Sequence, residues 1–221
     1  MSASHVELLS YSPWPQLEAG EIEVEFHLVY QGNLPAAGHG GGKTRTREKH
    51  AMRKVFHKQL VNLWKTHPFL SSFRGDKLCA AGGKLNAHGL EERYVRCGFK
   101  FLPLVSKWFG VSCALDILFL RRDGPGSLIR SGGDIDNRLK VLFDGLRMPE
   151  ECDEVSGQPT VDEDPFFVLL ENDNLISKVR VETNWLLTSP AEGEHIHDVH
   201  LIIGVKTIMT EGSNKYETAF Q

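Results

Sequence analysis

Two short acidic segments carry the chemistry this chain could perform. The first is Asp134-Ile135-Asp136-Asn137, followed by Lys140 and then by Asp144-Gly145-Leu146. The second is Glu171-Asn172-Asp173-Asn174, which leads into an alternating stretch. Carboxylates supply the hard oxygen donors that divalent cations take, and like-charged carboxylates held together repel unless a cation joins them. A lysine beside such a cluster can bind phosphate or stabilise charge in a phosphoryl-transfer transition state. Each residue alone has a plainer account. Aspartates cap helix N-termini and complement the helix dipole. Lys140 with Asp144 could be an i,i+4 ion pair, worth roughly 0.3–0.5 kcal/mol. A D-x-D pair, a lysine one turn on and a third acid at the head of a strand are together more than that account requires.

The elements that must position these groups are legible from periodicity. Ile135 to Leu146 reads as a helix with Ile135, Leu139, Leu142, Phe143 and Leu146 on one face, and Asp136, Lys140 and Asp144 on an adjacent stripe. Ile176 to Leu186 reads as a strand, which puts Asp173 just before its start. Further strands are predicted over Glu21 to Tyr30, Tyr94 to Leu104, Val111 to Leu120 and His200 to Ile208. In the first, Ile22, Val24, Phe26 and Leu28 share one side. The nearly all-apolar stretch Val111 to Leu120 is expected to be central. Arg47 to Trp64 is predicted to be a helix with a stripe of Met52, Val55, Phe56, Leu60, Leu63 and Trp64, ended by Pro68. The fold class expected is α/β (α+β), a mixed sheet flanked by helices in a single domain over 21–209. A loop-rich insertion is expected near 71–90 and a polar, acidic, mobile one at 148–164, with an N-terminal extension over 1–20 and a polar tail over 210–221.

Composition sets limits. The net charge of −4 does not suggest a nucleic-acid binder, but the average conceals segregation. Lys43, Arg45, Arg47, Lys49, Arg53, Lys54 and Lys58 fall close together, opposed only by Glu48. Glu150, Glu151, Asp153, Glu154, Asp162, Glu163 and Asp164 lie in a stretch without a base. The acidic run reads as a solvated loop. In the basic run, Lys43, Arg45 and Arg47 after the Gly-rich loop are expected to contact nucleic-acid phosphates. The four cysteines, Cys79, Cys97, Cys113 and Cys152, form no CxxC pair, which argues against a zinc ribbon or a disulfide framework and fits a reducing cytoplasm. No run reaches the length of a membrane span, and Met1 to Gln16 lacks the pattern of a secretory signal.

Three other features compete for attention. Ala37-Gly38-His39-Gly40-Gly41-Gly42-Lys43-Thr44 fits a relaxed P-loop pattern, with Lys43 and Thr44 as the nucleotide-binding pair. Against it, the preceding strand is predicted to end well before the loop, and no repeated parallel βα units follow. Asp116 inside an apolar strand is a weak candidate for the second acid of such a site. His195-Ile196-His197-Asp198-Val199-His200 could suggest a transition-metal site but reads better as a loop entering a strand. Trp64, Trp108 and Trp185 sit in apolar contexts and are expected in the core rather than as base-stacking platforms.

Asp134-Ile135-Asp136-Asn137, Lys140 and Asp144-Gly145-Leu146 resemble the D-x-D-N-x-x-K-x-x-x-D-x-L signature of the RusA family of Holliday junction resolvases. Asp173-Asn174-Leu175-Ile176-Ser177-Lys178-Val179-Arg180-Val181 resembles that family's acidic pair followed by a strand, with Asn172 where the first acid of the pair stands. The resemblance spans roughly residues 110–185. It implies a small α/β homodimer that uses Mg²⁺ or Mn²⁺ to cut branched DNA. By that resemblance Asp134, Asp136 and Asp173 bind metal and Lys140 assists catalysis. Asn137, Asp144 and Asn172 fall behind them, with Asp144 expected to hold Lys140 or to cap a dimer contact. An alternative within the same resemblance is a nucleic-acid-binding accessory protein with weak or no catalysis.

Overall fold

The computed structural model describes residues 24–35, 42–72, 93–122, 135–195 and 198–209. Alternation of apolar and polar residues produces β1, Glu25–Gly32, in which Leu28 and Tyr30 are buried and Glu25, His27 and Val29 are exposed. β4, Val111–Arg121, and β7, Val199–Met209, alternate in the same way. With β6, Ile176–Trp185, they form a four-stranded sheet in the order β1-β7-β4-β6. β7 runs antiparallel to both β1 and β4, and β6 runs parallel to β4. β2, Val95–Arg96, β3, Phe99–Val105, and β5, Phe166–Leu170, form a second sheet in the order β2-β3-β5. The single strand predicted over Tyr94 to Leu104 is therefore a hairpin. Cys97 and Gly98 turn it, both with positive φ (54° and 82°), as a two-residue hairpin turn requires.

Helix α1 spans Gly42–Thr66 and begins earlier than predicted, inside the Gly-rich run. Met52, Phe56, Leu60 and Trp64 recur every four residues and are all buried. Val55 is 38% exposed and lies off that stripe, which instead takes in His50, Arg53 and His57. Pro68 does not merely end α1; it opens a short helix α2, Pro68–Ser72, where the missing N–H costs nothing. Helix α3 spans Ile135–Leu146, as its periodicity predicts.

One core joins these parts. Leu115, Ile117 and Phe119 of β4 and Leu201, Ile203 and Val205 of β7 pack against the buried stripe of α1 and against Val141, Leu142 and Leu146 of α3. The fold is thus mixed α/β, with β4 interior to its sheet as expected. Among the described residues the helices cover one face of that sheet instead of flanking it. The opposite face carries His27, Asp116, Arg180, Glu182 and Ile202 in the open. No described helix is long and apolar enough to cross a membrane.

The acidic insertion corrects two expectations. Residues 148–164 are docked against α1 in part, while Glu151, Asp153, Asp162 and Asp164 are exposed as expected of a solvated loop. Arg53 pairs with Glu154 at 3.6 Å and Lys54 with Glu163 at 2.7 Å, and beside them Lys49 pairs with Asp144 of α3 at 2.6 Å. Glu163 also accepts from the Thr160 N–H at 3.0 Å, and His57 Nε2 lies 3.0 Å from the Asp162 carbonyl. Two members of each charge run thus meet in space. The same segment is tied to the β2–β3 hairpin by a disulfide between Cys97 and Cys152, whose Cα atoms are 5.3 Å apart. Spacing along the sequence did not reveal that pair, which corrects the expectation that the cysteines form no disulfide framework. Cys113 is free and buried, and burial pushes its thiol up to about 12.

Candidate functional site

The site is built from helix α3 and the turn that precedes β6. Asp136 occupies the first turn of α3, and its side chain is 63% exposed. Lys140, one turn on, is 65% exposed, and its Nζ lies 3.7 Å from Asp136 Oδ2. Asp173 opens a 3-10 turn, Asp173–Leu175, that contacts α3 and delivers the chain into β6. Leu139, Phe143 and Leu175 pack against the same core, which fixes the turn and the helix relative to each other. Asp136, Lys140 and Asp173 are therefore solvent-facing on two elements in contact. Asp134 lies outside the described residues. Among the described residues no three His, Cys, Asp or Glu side chains come together as a metal site.

Asn172 has a local task. Its side-chain oxygen accepts from the Asn174 N–H at 3.0 Å, and its amide donates to Glu150 at 3.3 Å. It caps the turn that presents Asp173, a role asparagine fills as well as aspartate. Glu171, before it, accepts from the Lys107 N–H at 2.8 Å and from the Tyr94 hydroxyl at 3.3 Å. Asn137 is half-buried beside Asp136.

Asp144 does not hold Lys140. It pairs with Lys49 at 2.6 Å and receives Arg147 Nη2 at 2.7 Å. Arg147 and Arg53 form a buried hub beneath the C-terminal end of α3. Arg53 donates to the carbonyls of Asp144, Arg147 and Glu154 at 2.8, 3.0 and 3.1 Å. Burial lowers its pKa to about 10, with Glu154 opposing that shift. For Arg147, burial also works against the charge, but Asp144, Glu154 and Glu150 outweigh it and its pKa is raised. This hub was missed in the sequence. The one local sign was the i,i+3 spacing of Asp144 and Arg147. At the other end, Arg138 donates to the Leu34 carbonyl and ties α3 to the segment after β1.

The basic cluster divides. Lys49, Arg53 and Lys54 are engaged with acids, while Arg47 and Lys58 are exposed. The loop at 36–41 and the side chains of Lys43, Thr44 and Arg45 lie outside the described residues. The topology speaks against the P-loop alternative, because β1 is an edge strand paired antiparallel with β7 rather than a strand of a parallel sheet. Asp116 faces solvent and pairs with Arg180 at 3.6 Å. In the histidine-rich segment, Asp198 accepts from the His195 N–H at 2.9 Å and closes a turn into β7, the structural role expected. His197 lies outside the described residues. Trp64 is core, as expected. Trp108 and Trp185 are not: Trp108 is 38% exposed with the Arg93 guanidinium 3.7 Å above its ring, and Trp185 is 54% exposed. No family model, curated protein or solved structure matches the chain.

Proposed function

We propose that the chain is a divalent-metal-dependent endonuclease acting on branched DNA, with Asp134, Asp136, Asp173 and Lys140 at its site. The observation that carries the reading is the exposure of Asp136 and Lys140 on the helix formed by the D-x-D-N-x-x-K segment, with the Asp173 turn packed beside it. Asp136, whose ion-pair partner Lys140 is itself exposed, and Asp173 are both open to a ligand. Asp136 and Asp173 offer hard oxygen donors suited to Mg²⁺ or Mn²⁺, and Asp134 would complete the set. When bound, such a cation supplies charge neutralisation at a phosphate and a more acidic water.

The chain's own groups then have distinct tasks. Lys140, exposed at the surface, reaches a phosphate oxygen and offsets charge that develops on it. Arg47 and Lys58, also exposed, lie on α1 where a phosphate backbone can reach them. Asn172 positions the Asp173 turn, so its replacement of an acid removes a charge without removing the turn. Asp144 stabilises the helix and takes no part in the chemistry.

The test is Asp136→Asn, assayed on a labelled four-way junction beside linear duplex and single strands, with Mg²⁺. The variant is expected to fold, to bind junction DNA as wild type does and to lose at least about a hundredfold in cleavage rate. Asparagine keeps the side chain's size and its capping ability, so unchanged cleavage would falsify the assignment. Binding without cleavage by the wild-type chain would select the accessory-protein reading instead.

A further inference from the structure

A turn and a hairpin meet beside the candidate carboxylates. Ser106 closes the turn between β3 and β4, its hydroxyl accepting from the Phe109 N–H at 3.2 Å and its carbonyl from the Val111 N–H at 3.2 Å. Within that turn Phe109 packs on the core, while Lys107 and Trp108 face solvent. Arg93, ahead of β2, lays its guanidinium over the Trp108 indole, 3.7 Å from the ring centroid, and is itself exposed. Its neighbour Tyr94 is buried, and the Tyr94 hydroxyl donates to Glu171 Oε2 at 3.3 Å. The same oxygen accepts from the Lys107 N–H at 2.8 Å, so one carboxylate fastens both segments. Asp173 follows Glu171 by two residues, a reach of at most about 7 Å along the backbone.

We propose that the Arg93–Trp108 layer is a stacking site for an unpaired nucleotide of a DNA strand, with Arg93 and Lys107 taking its phosphate. The chemistry of the pair selects that occupant. An exposed indole alone would suit any apolar surface. A guanidinium held flat against the indole keeps its outer plane open to a second flat group and its N–H edge open to an anion. A nucleotide offers a flat base and a phosphate in one unit. Among the described residues no acid pairs with the Arg93 guanidinium or the Lys107 ammonium, whereas Lys49, Arg53 and Lys54 all have acid partners. In a chain of net charge −4, two neighbouring cations without acids are a local exception, and local charge decides whether a phosphate can dock. Bases inside a duplex stack on one another and offer no free face, so the occupant is single-stranded.

The parts of this site are fixed before any strand arrives. Tyr94 anchors Arg93 from below, and the hydrogen-bonded turn holds Trp108 outward because Phe109 is held inward. With Asp173 on the neighbouring turn, the stack puts an unpaired base next to the phosphate to be cut. The substrate is then a branch with a single-stranded arm or an opened branch point, not a fully paired duplex. That consequence rests on the nuclease reading; the stacking site itself does not.

The experiment is fluorescence anisotropy with the full chain in EDTA, which withholds the cation that cleavage would need. The probes are a labelled dT strand of about 12 nucleotides, an abasic strand of the same length and a duplex of the same length. Wild type is expected to bind the dT strand more tightly than the abasic one, by at least about fivefold. Trp108→Ala is expected to weaken binding of the dT strand about tenfold and to leave the abasic strand and the duplex within about twofold. Trp108→Phe, which keeps a ring beneath the guanidinium, should recover most of that loss. Arg93→Lys keeps the charge and loses the plane, so it should weaken the dT strand and spare the abasic one. Circular dichroism checks that each variant folds, and Arg93→Lys carries the comparison if Trp108→Ala does not. Equal affinity of wild type for the dT and abasic strands, no binding of the dT strand, or a loss in the variants that is the same on all three probes overturns the proposal. Cleavage is not read, so failure here leaves the nuclease reading standing, and failure of Asp136→Asn to lose cleavage leaves the stacking site standing.

Discussion

Helix α3 carries charged residues at four-residue spacing, and its two ends put them to different uses. At the first turn, Asp136 and Lys140 are about two-thirds exposed and 3.7 Å apart. At the last turn, Asp144 is 21% exposed and held at 2.6 Å by Lys49 and 2.7 Å by Arg147. The difference arises because α1 crosses the C-terminal end. Gly145 permits that approach: a Cβ there would lie 2.6 Å from Met52 Sδ. Where another helix closes over a carboxylate, desolvation makes a permanent partner necessary. Where none does, the carboxylate stays available. Residue type and spacing are the same at both ends, and burial alone separates a structural acid from a candidate ligand.

The contrast can be broken most severely at the buried end. Arg53→Met removes the donor for three carbonyls and leaves Glu154 and Asp144 with one cation fewer. It is expected to cost about 4 kcal/mol in urea unfolding. Asp144→Ala strands the buried Arg147 and is expected to cost about 3 kcal/mol by the same measurement. A loss under about 0.5 kcal/mol in either would mean that the hub is not what holds α3 to α1.

Acid should act on the buried side alone. His50 is 1% exposed and packs against the Phe99 and Phe166 rings. Burial lowers its pKa to about 4, helped by the Arg53 and Lys54 charges and opposed by Glu163. The unfolded chain therefore binds the proton more readily. The stability held by neutral His50 is complete above about pH 6.5 and is lost as pH falls toward 4. His57, whose pKa burial also lowers, adds to the same limb. Thermal midpoints should drop across that window, with His50→Leu showing a shallower slope. A wild-type midpoint that stays level from pH 7 to 4.5 would remove His50 from the account.

The smallest effect on stability is expected at the exposed end. Asp136→Asn should change unfolding free energy by less than about 0.5 kcal/mol while abolishing cleavage. If the same substitution destabilised the chain as Asp144→Ala does, the two ends of α3 would not differ in kind.

Helix α3 was legible in the sequence because five apolar residues recur at helical spacing and one stripe is left polar. β4 and β7 were legible within a residue or two, since alternation survives even where the second face is half-buried. The link between α1 and the acidic insertion was not. It joins residues about a hundred positions apart through ion pairs, and nothing local distinguishes a charge destined for a partner from one destined for water. Asp144 was misplaced for that reason. Cys97 and Cys152 escaped in the same way, because the hairpin turn that aims Cys97 became visible only with its positive φ. Trp108 and Trp185 were assigned to the core from apolar neighbours, although each sits where its chain meets the surface.

Gln59 of α1 clasps both backbone polar groups of Val29 on β1, its Oε1 accepting from the N–H at 2.9 Å and its Nε2 donating to the carbonyl at 2.7 Å. A strand added at β1 would have to displace an amide that already satisfies both polar groups there. A sheet open at both ends can add copies head to tail without limit and grow into a fibre. With β1 stoppered at Val29, the four-stranded sheet is not open at both ends. One glutamine on a neighbouring helix thus acts as a terminator against growth of the sheet into a polymer.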